Sequence, residues 1–145
     1  MAFIDQDFID VAIGAPLREK MTRGSASELT KMITRSDGRA KSALKAAGYT
    51  VSPGSYTPAT TPIEIKDASL GYFIRMGYAK LGLDTPKQFE MYTTAGDALS
   101  KGEIQPDGID PDPEDAIGGV TFSDSDSTID GSFPPVFSRD ALKNF

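Results

Sequence analysis

Carboxylates crowd the C-terminal third of this 145-residue chain, and their spacing is the first feature that could do chemistry. Asp124-Ser125-Asp126 followed by Asp130-Gly131 shares part of the spacing of a calcium-binding loop. Such a loop needs oxygen ligands at positions 1, 3 and 5, glycine at 6 and a bidentate Glu at 12. Counted from Asp124, position 6 is Ile129 and position 12 is Pro135, so the glycine and the bidentate carboxylate are both missing. A polar turn is the better reading. Asp110, Asp112 and Glu114 alternate along a stretch that Pro111 and Pro113 hold extended, so these groups do not converge on one ion unaided.

Other chemistries fall away by composition. The chain has no Cys, no His and no Trp. That excludes disulfides, thiolate nucleophiles, cysteine-ligated zinc, imidazole metal sites and the Ser-His-Asp triad. Neither GxxxxGK[ST] nor GxGxxG occurs, so no phosphate-cradling loop is indicated. Hydrolysis by carboxylates, Ser and Lys alone stays open in principle, but no spacing singles out a pair. The expectation is a protein that is not an enzyme and uses no cofactor and no metal.

The basic residues are more ordered. Lys31, Arg35, Arg39, Lys41 and Lys45 recur at helical spacing and form a modest cationic stripe. It is either a solvated helix face or a contact face for an acidic neighbour. Charge is also divided along the chain. Residues 1–102 hold 13 Lys+Arg against 11 Asp+Glu; residues 103–145 hold 2 against 10, which accounts for the net −6. A mildly basic body therefore carries an acidic arm, which either solubilises the chain or engages a partner. The N-terminal residues are acidic where a secretory signal is basic, and no apolar run approaches the roughly 18 residues of a membrane span. A soluble protein made in a cytoplasm is expected.

The elements that position these residues are helical. Phe8, Ile9, Val11, Ala12 and Ile13 repeat at helical spacing, and Asp5 or Asp7 can cap their start. Gly14-Ala15-Pro16 breaks that helix before a brief second one ending near Gly24. Ser25-Ala26-Ser27-Glu28 fits a capping box, and Leu29, Met32, Ile33, Ser36, Ala40, Ala43, Leu44 and Ala47 then form one stripe, closed by Gly48. Asp37-Gly38 weakens the middle of that helix and makes a kink there plausible. Residues 49–63 are rich in Pro, Thr, Ser and Gly and read as an extended loop.

The next helix, from Ile63 to Leu83, is apolar over a broad face that includes Ile63 and is expected to be the most buried. Gly71 and Gly77 predict close approach by a neighbour. A final helix has Thr85 as its cap, Pro86 at its first position and Gly102 after its end. The fold class expected is mainly α: a bundle of about four helices over residues 1–102, with a long extended acidic arm over 103–145. Within the arm, Gly119–Ser123 fits a strand and Ser138 can cap a last turn. Phe133, Val136, Phe137, Leu142 and Phe145 are spaced as docking anchors, either for another protein or for the chain's own bundle.

Between Ser27 and Gly102 the order of motifs resembles a known family. A capped helix runs into Ala46-Ala47-Gly48-Tyr49, a Pro-rich loop follows, and a helix then begins Ile65-Lys66-Asp67-Ala68-Ser69-Leu70-Gly71-Tyr72 and passes through Met76-Gly77-Tyr78. A shorter helix, Tyr92-Thr93-Thr94-Ala95-Gly96-Asp97-Ala98-Leu99, closes on Ser100-Lys101-Gly102. This arrangement is similar to the head–tail adaptor (connector, or head-completion) proteins of tailed bacteriophages. The acidic arm departs from the family pattern.

The resemblance implies a non-enzymatic virion protein at the neck, made in the host cytoplasm. It implies a homo-oligomeric ring, usually of about twelve copies, that joins the capsid portal protein to a stopper or tail-completion protein. Double-stranded DNA would pass through the ring without sequence-specific binding. On that reading Lys31, Arg35, Arg39, Lys41 and Lys45 contact neighbouring subunits or the portal. Phe133, Val136, Phe137, Leu142 and Phe145 form the docking arm. The alternative is a soluble cytoplasmic binding or regulatory module with a disordered acidic tail.

Overall fold

Each helix begins and ends where its local chemistry dictates. The computed structural model describes residues 2–51 and 56–109. In α1 (Gln6–Ile13) the Asp5 side chain accepts the Phe8 N–H at 2.9 Å. Gly14, at φ +88°, turns the chain into α2 (Ala15–Thr22), with Pro16 in its first turn. α3 (Ala26–Ala46) starts at Ser25, whose hydroxyl accepts the Glu28 N–H at 3.3 Å. The capping box is only half formed, because the Glu28 carboxylate turns to Lys31 and Lys80 instead of the Ser25 N–H. α3 ends in a Schellman turn: Gly48 sits at φ +89°, and the Tyr49 N–H reaches back to the Leu44 carbonyl at 2.9 Å.

α4 (Ile63–Leu81) follows Pro62. A single 3-10 turn (Lys87–Phe89) then leads into α5 (Glu90–Ser100). The protein is thus mainly helical, with five α-helices and no strand among the described residues. The expected kink at Asp37-Gly38 does not interrupt α3, which is helical throughout. Nor does the last helix start at Thr85-Pro86. Pro86 introduces the 3-10 turn, which tightens the chain to bury Phe89 against Tyr78, ring centroids 6.0 Å apart. The end residues of α4, Ile63 and Leu81, are exposed, whereas Ile65 is fully buried.

The core has two apolar clusters. One gathers Phe3, Ala40, Ala43, Leu44, Tyr49, Val51, Ile65, Ala68, Ala95 and Leu99. The other gathers Ile4, Ile9, Met21, Leu29, Met32, Leu70, Phe73, Ile74, Tyr78 and Phe89. α3 passes from the second cluster to the first and α4 from the first to the second, so the two helices run antiparallel. Ser36, Asp37 and Ser69 mark the crossover on both. The Ser69 hydroxyl donates to Asp37 Oδ1 at 2.6 Å and the Phe3 N–H to Asp37 Oδ2 at 3.0 Å. This node ties the N-terminal strap, α3 and α4 together.

α4 packs chiefly on α5 and then on α3. Glycine makes the α4–α5 approach possible. A Cβ on Gly71 would lie 2.0 Å from the Tyr92 carbonyl oxygen, and one on Gly96 would lie 2.6 Å from the Tyr72 ring. Gly77 leaves room for the Met21 side chain of α2. The chain beyond Gly102 continues on the body: Pro106 is buried, Ile109 packs on the Phe3–Leu99 cluster, and the Asp107 N–H faces the Glu64 carboxylate at 3.5 Å.

Candidate contact surface

The stripe that buries Leu29, Met32, Ala40 and Leu44 forces the other face of α3 outward, and the basic residues lie there. Lys31, Arg35, Arg39 and Lys45 are exposed, and Lys41 is half-buried. Helical spacing splits the five into two groups. Lys31, Arg35 and Arg39, each four residues apart, line a groove of about 370 Å³ between α3 and α4. Met32 and Met76 also line it, Lys80 of α4 joins the cationic rim, and Glu28 and Ala79 complete it. Lys41 and Lys45 instead border a second hollow of about 220 Å³ beside Tyr49, Thr50 and Val51.

The cations differ in how far they are neutralised. Glu28 binds Lys80 at 2.7 Å and Lys31 at 3.2 Å. Those two ammonium groups, Lys80 first, hold the Glu28 carboxyl below its usual range. Arg35, Arg39, Lys41 and Lys45 have no ion-pair partner among the described residues. Lys20, Arg23, Lys87 and Lys101 likewise have no ion-pair partner among the described residues, whereas two arginines are committed within the fold. Arg18 is paired with Asp10, which raises its pKa further, and Arg75 of α4 donates to the Thr93 carbonyl and to Asp97 of α5.

Asp37 is the polar residue that pattern reading undervalued. It is 6% exposed, and its carboxylate accepts from the Ser69 hydroxyl and the Phe3 N–H. Burial pushes its carboxyl up, while the hydrogen bonds from Ser69 and the Phe3 N–H pull it back down. The usable signal was spacing: residues 33, 37, 40 and 44 share one helical face, so an acid at 37 belongs to the buried stripe. Its partners are all used inside the fold, and no cavity described above is lined by it. Asp67 is likewise raised, first by burial and then by Glu64.

Among the described residues no group of three or more Asp or Glu side chains is placed to hold a metal ion, and no helix is long and apolar enough to cross a membrane. Phe133, Val136, Phe137, Leu142 and Phe145 lie outside the described residues, as do the candidate strand at 119–123, Ser138 and the acidic spacings from Asp110 onward. Comparison with protein-family models, curated proteins and solved structures finds no match.

Proposed function

We propose that this chain is a structural subunit of a tailed-phage neck, forming a ring that joins the capsid portal to a stopper or tail component and continues the DNA channel. The observation that carries the reading is the outer face of α3. It presents four cations without ion-pair partners among the described residues, on a small helical body whose sequence continues into an acidic arm. Such a face is suited to an extended protein contact, because its cations line open hollows along one side of α3. The motifs that resemble adaptor proteins also fall at the joints of the body. Ala46-Ala47-Gly48-Tyr49 is the turn that closes α3 and buries Tyr49, and Tyr92–Leu99 lies in α5 against α4.

On this reading the basic residues of α3 meet neighbouring subunits or the portal, the arm reaches the adjacent ring, and DNA passes without base-specific contact. The working location is the virion neck. The test is to mix the purified protein with portal-bearing capsids and image the vertices. Rings added below the portal are the expected result. A protein that neither co-sediments with portals nor occurs in purified virions overturns the proposal.

A further inference from the structure

Unpaired charge gathers at both ends of α4, with opposite sign. At the N-terminal end Glu64 and Asp107 rim a hollow of about 380 Å³ that Gln105, Pro106 and Gly108 complete. Asp67 stands one turn further along α4, its carboxyl raised first by burial and then by Glu64. None of these three acids has an ion-pair partner among the described residues. The lysine beside them in sequence, Lys66, lies over the Phe8 ring, 5.4 Å from its centroid. At the C-terminal end the α3–α4 groove is rimmed by Arg35 and Arg39, which lack ion-pair partners among the described residues. Each end therefore lacks the charge that the other holds.

The two patches also lie on opposite sides of α4. Glu64 and Lys80, which joins the rim of the groove, are about 24 Å apart along the helix axis and about four and a half turns apart. Asp67 and Met76, which lines the groove, are about two and a half turns apart. A half turn is left over in each case, so the acids and the groove point away from each other. One chain cannot close the first patch on the second, and a two-fold pair cannot join both at once. A head-to-tail contact joins them, because the acids of one copy meet the groove of the next and the same contact repeats. Like patches repel, which disfavours the other orders.

We infer that copies of this chain meet head to tail, with Glu64, Asp67 and Asp107 of one copy facing Arg35 and Arg39 at the α3–α4 groove of the next. The contact is heterologous, so it builds a ring where its rotation closes and a filament where it does not. The inference rests on the neck reading's assignment of the α3 face to contact between copies, and adds the surface of the neighbour that meets it.

Charge reversal supplies the test, because two reversed variants should repair each other. Arg35→Glu with Arg39→Glu makes both patches acidic, and Glu64→Lys with Asp107→Lys makes both basic. Sedimentation velocity at low salt, where surface charge is least screened, is run on the full-length wild type, on each variant and on their equimolar mixture. The wild type is expected to associate, and each variant alone to associate about 100-fold more weakly. The mixture is expected to regain wild-type association, with the two variants alternating. A mixture no better than its components overturns the inference, as does a wild type that stays monomeric at the highest concentration. Loss confined to the arginine reversal also overturns it and assigns the groove to a different acidic partner. Portal-bearing capsids separate this inference from the neck reading. Rings formed equally by the wild type and the Glu64→Lys, Asp107→Lys variant uphold the neck reading and overturn the inference; a repaired mixture with no rings at portals does the reverse. A misfolded variant cannot repair its partner, so a folding defect does not mimic the expected result. Should circular dichroism show that a double variant is unfolded, the single reversals Arg39→Glu and Asp107→Lys carry the same comparison.

Discussion

α4 faces two neighbours and treats them differently. Against α5 it is closed: Gly71 lies under the Tyr92 carbonyl, Gly96 lies under the Tyr72 ring, and Arg75 spans the seam to Thr93 and Asp97. Against α3 it is closed through the Asp37–Ser69 node and the apolar clusters on either side of it, but along one edge, at Met32 and Met76, it opens into a charged groove. The residue types account for the difference. Glycines let two backbones meet with no space left for a ligand, whereas Met, Lys and Arg hold two helices apart at their rims. One interface holds the body together, and the other leaves a surface free for contact.

The largest effect should come from filling the closed seam. In Gly71→Ala the new Cβ meets backbone, which cannot rotate away, so α5 must shift along α4. Overpacking of this kind costs about 3 kcal/mol or more. Urea unfolding followed by circular dichroism should show a sharply lowered midpoint or no folded baseline. A midpoint within error of the wild type would mean that the seam is loose and the contrast with the groove is false.

Next in size is the node that closes part of the α3–α4 interface. Asp37→Ala leaves the buried Phe3 N–H without its acceptor and should cost about 2 kcal/mol. Asp37→Asn keeps one acceptor and should cost less. Proton linkage separates the two acids of α3. The Asp37 carboxyl is raised by burial, so between its ordinary value of 3.8 and its folded value the native state binds more protons, and stability falls as pH rises. Glu28 is lowered by Lys80 and Lys31, so its contribution is present above the ordinary 4.5 and fades as pH falls through its folded value. Stability measured against pH should lose the first slope in Asp37→Asn and keep the second. A retained first slope would place the titration elsewhere.

These effects bear on what the residue pattern discloses. The body was legible because caps and periodicity are local: Asp5, Ser25, Gly48 and Gly102 mark helix ends that the backbone respects. The glycine-based approach of α4 was legible too, since Gly71 and Gly77 interrupt an otherwise apolar helix. What resisted was tertiary. Thr85-Pro86 reads as a helix start, but a 3-10 turn stands there instead, with Phe89 buried against Tyr78. Asp37 reads as a weak point in α3, yet its hydrogen-bond partners come from 32 and 34 residues away. Four of the five basic residues, Lys31, Arg35, Arg39 and Lys45, were legible as exposed side chains of α3, while Lys41 is half-buried. Their division between two hollows depends on where α4 and the Tyr49–Val51 turn lie, which spacing along one helix does not contain.

A smaller and opposite effect is expected at Gly38. It is exposed in mid-helix, and a Cβ there meets nothing within 4 Å. Gly38→Ala should therefore stabilise the body by about 0.5–1 kcal/mol, from helix propensity alone. Together with Gly71→Ala it forms a paired test, the same substitution with opposite signs, decided by what lies above each glycine. Destabilisation by Gly38→Ala would mean that a neighbour covers the outer face of α3.

The smallest effect on stability should fall at the open groove. Removing Arg35 and Arg39 together as alanines takes away no ion pair known among the described residues and leaves Met32 buried. Exposed substitutions of this kind change stability by no more than about 0.5 kcal/mol each. Arg75→Ala, across the closed seam, should cost about 1–2 kcal/mol, because it leaves the Thr93 carbonyl without its charged donor. The contact assays should order the variants the other way. The arginine pair should lose portal assembly, while Arg75→Ala, once folded, keeps it. If the arginine pair unfolds the body as readily as Arg75→Ala does, the groove is part of the scaffold and α4 has two closed faces.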